Sequence, residues 1–264
     1  MNDWISHFNS WFGHTILQMP PLASKEGEAI DSLIVWVHYL MIALFVGWVA
    51  YFAYVLYRFN DARNKKADYE GSKSSLPKGI EIAVVLAEAV LLLGIAMPLW
   101  SKNVQEFPKP QDSTVIQVMA QQYSWNVRYP GTNGVFARQD MKLISPDNVF
   151  GIDLTDTNSA PGSFTTVNDI HVPINRPVVI YLSSKDVIHS FKVISMRVTQ
   201  DAIPGLRIPL MFTPTQTGKY QIECAQLCGG GHSSMSGGFV TVDSEADYQK
   251  WLSQHNGIST GGFE

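Results

Sequence analysis

The run LIVWVHYLMIALFVGWVAYFAYVLY, Leu33 to Tyr57, has no charged residue over 25 positions. As a helix it is about 37 Å long at 1.5 Å per residue, more than the roughly 30 Å of a bilayer's hydrocarbon core. It reads as a transmembrane helix. A second run, Ile80 to Trp100, spans 21 positions interrupted only by Glu81 and Glu88, about 31 Å as helix. Two spans make a hairpin, and the mean hydropathy of +0.01 averages that hairpin with something polar.

Basic residues near membrane helices tend to stay on the cytoplasmic side. Arg58, Arg63, Lys65, Lys66, Lys73 and Lys78 crowd the connection, whereas residues 1–32 hold Lys25 against Asp3, Glu26, Glu28 and Asp31. The loop, about residues 58–79, is therefore expected inside, with both termini and everything after Trp100 outside. Residues 1–20 lack a basic start and an apolar run, so no cleavable signal is expected and the first span directs insertion. His38 in that span reads as an interfacial polar residue. With 264 residues and a net charge of −4, no nucleic-acid partner is expected.

After the Pro-rich bend at Gln105 to Ser113, short β-type runs alternate with turn residues. Candidate strands are Thr114 to Met119, Tyr123 to Tyr129, Phe164 to His171, Val178 to Leu182, Val187 to Ile194, Gly218 to Cys224 and Gly237 to Val242. Such runs predict a β-sandwich or Greek-key barrel. Residues 130–161 read as an irregular excursion. Ser244 to Gln254 predicts one helix with an N-cap serine. The expected organisation is an outer segment 1–32, a hairpin 33–100, a β-domain 101–254 and a tail 255–264.

Both cysteines lie in CAQLCGGGHSSM, a C-x3-C-x3-H-x2-M pattern of Cys224, Cys228, His232 and Met235. Two thiolates, an imidazole and a thioether form a soft donor set, which on a β-scaffold points to electron-transfer copper. One cysteine is surplus for a mononuclear site, and a second copper bridged by both sulfurs accounts for it. Each copper then needs an imidazole, and His189 in KDVIHSFKV is the candidate. A Cys224–Cys228 disulfide is the bland alternative, although so small a ring does little to cross-link a domain. Zinc is disfavoured because methionine is a poor zinc ligand. His7, His14 and His255 read as surface residues, and His171 as the end of a strand.

With DVIHSF (Asp186 to Phe191), DAIPG (Asp201 to Gly205) and CAQLCGGGHSSM in order behind a hairpin, the chain resembles subunit II of the haem–copper cytochrome c oxidases. The resemblance implies an α+β membrane protein, a two-helix hairpin followed by a cupredoxin-like Greek-key domain. It implies a dinuclear copper centre, CuA, bridged by Cys224 and Cys228 and completed by His189, His232, Met235 and the carbonyl of Gln226. At that last position the family usually has a glutamate whose side chain also reaches magnesium at the subunit I contact. The neutral amide of Gln226 is a weaker hard-cation ligand, which weakens the case for magnesium.

The same resemblance implies that electrons enter near Tyr123 and Trp125 in QQYSWNVRYPG, Tyr123 standing where the family has a tryptophan. Alternating Tyr123, Trp125 and Val127 also fit a plain packed strand. Glu81 aligns with a family glutamate at the mouth of a proton-uptake path, the headgroup level being the plainer alternative. Glu88, where the family commonly has proline, receives no role. The implied function is electron entry into a proton-pumping oxidase, from cytochrome c or a c-type haem domain to haem in subunit I, where oxygen is reduced. This chain itself holds no oxygen-reducing site. Subunit I, subunit III and a lipid membrane, the inner membrane of a bacterium, are the implied surroundings. A membrane-anchored cupredoxin that stores or delivers copper is the rival reading. No C-x-x-C-H motif for covalent haem is present. Residues 101–264 hold 12 basic against 14 acidic residues, a net of −2, too slight to steer a basic donor strongly.

Overall fold

In the computed structural model, which describes residues 3–66, 69–70, 73–156, 158 and 160–255, the chain divides into two units. One comprises Met1–Met19 and Ala29–Lys102, the other Pro20–Glu28 and Asn103–Glu264.

In the first unit, α1 (Asp3–Trp11) and a π turn (Phe12–Ile16) precede α2 (Gly27–Arg58). The sequence pattern gave no sign of α1. It is held through Asn9, which accepts from the Tyr39 hydroxyl at 3.0 Å, while in the following turn the Phe12 ring lies 4.9 Å from that of Tyr39. The second span runs from Leu76 to Gln105 as α3 (Leu76–Ala89), a π turn (Val90–Ala96) and α4 (Met97–Gln105). Pro98 explains the π turn: it lacks an N–H and its ring crowds the carbonyl one turn back, so the helix widens ahead of it. Both helices, of 32 and 30 residues, are long and apolar enough to cross a membrane, and their apolar windows are 6% and 0% buried within the chain. Helices that apolar and that bare require lipid or another protein around them.

The second unit is a sandwich of two five-stranded sheets, the cupredoxin-like fold expected from the motifs. The strands are β1 (Thr114–Gln121), β2 (Ser124–Tyr129), β3 (Phe164–Val167), β4 (Asp169–Pro173), β5 (Val178–Ser184), β6 (His189–Val193), β7 (Val198–Ala202), β8 (Ile208–Phe212), β9 (Gly218–Cys224) and β10 (Gly238–Asp243). One sheet has the order β3-β2-β1-β5-β8 and the other β4-β10-β9-β6-β7. Every second residue of β1 is buried, as a strand with one face on a core requires. Trp125, Phe191, Phe212, Ile116, Ile180 and Leu182 fill the space between the sheets.

Two differences from the sequence pattern matter. The run expected as one strand over Phe164 to His171 is two strands in different sheets. The crossing point is Asn168, at φ 59°, a left-handed conformation that asparagine tolerates. Its side-chain oxygen accepts from Trp125 N at 2.8 Å, its N–H donates to Trp125 O at 2.8 Å, and its carbonyl accepts from Phe239 N at 2.9 Å. Strands β7 and β8 were not expected at all. Both are sheet edges, where Pro209 is tolerated and polar residues such as Thr199 and Gln200 are common.

Residues 20–28 are stitched to the β-unit. Ala23 N donates to Ser195 O at 2.7 Å, and the Glu26 carboxylate accepts from Thr213 N and Oγ1 at 2.7 and 2.8 Å. The predicted C-terminal helix is α5 (Glu245–Gln254), capped by Ser244, whose hydroxyl accepts from Asp247 N at 3.2 Å. The expected tail lies outside the described residues apart from His255.

Candidate metal centre

Strands β6 and β9 pair with Phe191 opposite Cys224 and Lys192 opposite Glu223, and Ala225 N donates to Ser190 O at 2.9 Å. The ladder therefore stops where the cysteine loop begins, which sets His189, the first residue of β6, beside Cys224. Gly229 then reverses the chain at φ 133°, a conformation other residues rarely adopt. A 3₁₀ turn over His232–Gly237 follows. Side chains three apart eclipse one another in such a turn, so His232 and Met235 point the same way.

The donors converge. Cys228 Sγ lies 3.4 Å from His232 Nδ1, 3.5 Å from Met235 Sδ and 3.9 Å from Cys224 Sγ. His189 Nδ1 lies 3.1 Å from Met235 Sδ and 4.0 Å from Cys224 Sγ. The Gln226 carbonyl is 3.1 Å from Cys224 Sγ. Donor atoms of His189, Cys224 and Cys228 all lie within 4.8 Å of one another. Both cysteines are free, which disposes of the disulfide in this structure. Sulfurs 3.9 Å apart are close enough for one metal ion to hold both, since metal–thiolate bonds run about 2.3 Å.

The electrostatics call for a cation. Burial, and then the neighbouring Cys224, push the Cys228 thiol up to about 11, so positive charge beside the sulfur favours its thiolate. A soft metal ion supplies it, and the residues present fit copper.

Beneath the donors lies Trp125, fully buried, its Nε1 donating to Met235 O at 3.0 Å and its ring crossing that of Phe191 at 5.3 Å. Tyr123 covers the glycine run, so closely that a Cβ on Gly231 would meet its ring at 2.5 Å. Three positioning contacts escaped the sequence pattern. Asp186 Oδ1 lies 2.9 Å from His189 Nε2, and Asp186 Oδ2 accepts from Gln122 N at 2.8 Å. Gln122 Nε2 donates to Cys228 O at 2.7 Å. An acidic residue three positions before the candidate histidine was the available signal.

His171 is away from the donors: it sits in β4 with Nδ1 2.6 Å from Asp243 Oδ2 and its ring stacked 4.4 Å from Trp251. His255 stacks on Phe164 at 4.9 Å. His38 bonds the Ile34 carbonyl through Nδ1 at 2.7 Å, as a helix-bound polar residue does. Glu81 belongs to the membrane unit and is exposed on α3.

Comparison with known proteins gives the same direction. Residues 114–242 match the family described as cytochrome C oxidase subunit II, periplasmic domain. The alternative cytochrome c oxidase subunit 2 of Bradyrhizobium diazoefficiens is 30% identical over 234 residues, covering 89% of this chain and 82% of that one. The chain belongs to the cytochrome c oxidase subunit II family.

The cytochrome c oxidase subunit 2 of Thermostichus vulcanus is 28% identical over 95% of this chain and 82% of that one. Among solved structures, the periplasmic domain of cytochrome oxidase subunit II from Bradyrhizobium japonicum aligns at 25% identity and a TM-score of 0.41, covering 57% of this chain and 96% of that one. As a subunit II this chain is part of a haem–copper oxidase, an enzyme complex, with subunit I as its partner. Two apolar helices anchor it and its β-domain is periplasmic. Membership of the family implies copper, in agreement with the donor set.

Proposed function

We propose that this subunit is the electron-entry point of its oxidase, with Cys224, Cys228, His189, His232, Met235 and the Gln226 carbonyl holding a dinuclear copper centre. The observation that carries the reading is the pair of free thiols 3.9 Å apart with a separate imidazole beside each, His189 near Cys224 and His232 near Cys228. Held by these residues, a dinuclear copper centre would supply a one-electron site. The chain's residues do the rest. Asp186 fixes His189 with Nδ1 toward the sulfurs. The sandwich holds Met235 and Cys228 out of water at 0% and 5% exposure. Donors held this rigidly move little when an electron arrives, which keeps the reorganisation cost of transfer low.

Tyr123, half-buried over Gly229 and Gly231, is the entry residue facing cytochrome c or a c-type haem domain, and Trp125 lies behind it. Electrons leave toward haem in subunit I, where oxygen is reduced and protons are pumped. Glu81 at the inner end of the second span receives protons for that reaction, and subunit III completes the complex. Both termini lie on the periplasmic side of a bacterial inner membrane, as the charge of the 58–79 loop supports. Gln226 offers magnesium only a neutral amide, so this chain contributes little to such a site.

Copper stoichiometry and electron paramagnetic resonance on the assembled oxidase test the reading. Two coppers per subunit II with a mixed-valence, seven-line signal are expected. One copper with a four-line pattern overturns the dinuclear assignment and favours the storage or delivery module. His189→Ala should abolish the signal and His171→Ala should leave it.

A further inference from the structure

Electron entry leaves Glu88 without a task. It lies eight residues beyond Ile80, about 12 Å into a span of about 31 Å. Glu81 and Glu88 are seven residues apart and both exposed on α3, so they share a face and stand about 10.5 Å apart along the axis. An ionisable group at that depth is costly in hydrocarbon and faces protein or water instead. A second observation points the same way. Two residues past Glu88 the helix opens into the π turn Val90–Ala96, with Met97 N bonded to Leu92 O. Pro98 accounts for the opening itself, and π turns recur at functional sites. Among the described residues nothing covers Glu88, and no residue of Leu76–Ala89 or Val90–Ala96 is buried. The cover comes from another protein, and subunit I is the partner that family membership supplies.

We propose that Glu88 is a proton-carrying site within the membrane, held at the contact between the second span and subunit I. Its carboxylate accepts a proton that enters past Glu81 and gives it up to a base on subunit I. The proton alone moves, and no electron changes hands at this residue. The separation of about 10.5 Å exceeds what two carboxyl groups bridge directly, so a water or a polar side chain of subunit I completes the relay. This inference rests on the reading of Glu81 and subunit I given above.

The test uses the assembled oxidase with Glu88→Gln, Glu88→Leu, Glu88→Asp and Glu81→Gln. In the Glu88 variants, donor-driven reduction of copper should match the unaltered enzyme. Steady-state oxygen consumption should fall by on the order of tenfold or more in Glu88→Gln and Glu88→Leu. A carboxyl C=O band in the redox difference infrared spectrum should vanish in both. Glu88→Asp should shift that band and restore most turnover. Wild-type turnover with unchanged carboxyl bands in Glu88→Gln overturns the proposal. Equal slowing of assembled Asp and Leu variants also overturns it, because a packing role predicts that result. If Gln and Leu variants fail to assemble, the Asp variant decides by the same two readouts. Normal turnover in Glu81→Gln beside a slow Glu88→Gln overturns entry past Glu81 and retains Glu88. Failure of the unaltered complex to reduce copper from the donor overturns electron entry instead.

Discussion

Asp186 Oδ1 lies 2.9 Å from His189 Nε2, which occupies one ring nitrogen and leaves Nδ1 facing Met235 Sδ and Cys224 Sγ. A partner on the far nitrogen fixes the tautomer and ring orientation of a metal-binding histidine. Asp186→Ala is therefore expected to weaken copper binding by about 10- to 100-fold, the usual cost of losing such a partner. Asp186→Asn, which keeps an acceptor, should lose less. Titration of the full chain in detergent against a copper chelator measures both. Equal affinity in Asp186→Ala and the parent would remove Asp186 from the site.

Gly231 and Tyr123 form a second such pair. A Cβ at Gly231 would stand 2.5 Å from the Tyr123 ring, inside any tolerable contact. Gly231→Ala should cost about 1 to 3 kcal/mol, the usual range for overpacking. The cost should shrink when Tyr123→Ala is made in the same chain, since the clash goes with the ring. Thermal unfolding of the two single variants and the double variant reads the coupling. Additive effects would mean that the loop and the tyrosine do not constrain each other.

How far the sequence carried the fold depends on the kind of signal. Leu33 to Tyr57 could be read as a span because lipid imposes a long uncharged run, and Cys224, Cys228, His232 and Met235 stood together because one loop carries them. His189 is distant in the chain, and the Phe191–Cys224 register that delivers it is a tertiary fact. Asn168 hid the sheet change because a single left-handed residue leaves the apolar alternation on either side intact. Pro209 hid β8, since proline argues against a strand until the strand is known to be an edge. Residues 20–28 gave no periodic signal, because a strap held by Ala23 N and the Glu26 carboxylate needs hydrogen bonds and little apolar pattern.

His171 links stability to pH. Burial alone would lower its pKa, but the carboxylates of Asp169 and Asp243, 3.4 and 2.6 Å from its ring nitrogens, outweigh burial and raise it. Asp169 is held below the usual range chiefly by its hydrogen bond with His171. The raised histidine contributes stability in full below its unfolded value of about 6.5, and that share is lost as pH rises through the folded value. The depressed Asp169 contributes above an unfolded value near 3.9, and that share is lost as pH falls through its folded value. The cluster is thus most stabilising between about pH 4 and 6.5. Unfolding temperatures of the full chain should fall from pH 6 to pH 8.5, and His171→Gln should flatten that limb. An unchanged slope in His171→Gln would assign the pH dependence elsewhere.

Arg128 makes the last test. It is 1% exposed, bonded to Ala137 O and, at 3.3 Å, to Gln117 Oε1, with its guanidinium 5.3 and 5.9 Å from the rings of Phe136 and Phe150. It thereby pins the irregular 130–161 excursion to the outer face of β1 and β2. Its Nε has no partner among the described residues, and burial, with Arg207 second, pulls its pKa down to about 10. A buried cation without a carboxylate is weak evidence for stability, because desolvation offsets much of what its contacts contribute. Arg128→Met keeps the apolar stem between the two rings and removes the unpaired charge, so its unfolding temperature should equal or exceed the parent's. Arg128→Ala removes the stem as well, leaves a cavity under the excursion, and should cost on the order of 2 kcal/mol or more. Limited proteolysis should then cut residues 130–161 faster in Arg128→Ala than in Arg128→Met. If methionine destabilises as much as alanine, the hydrogen bonds of the guanidinium hold the excursion, and the packing of its stem does not.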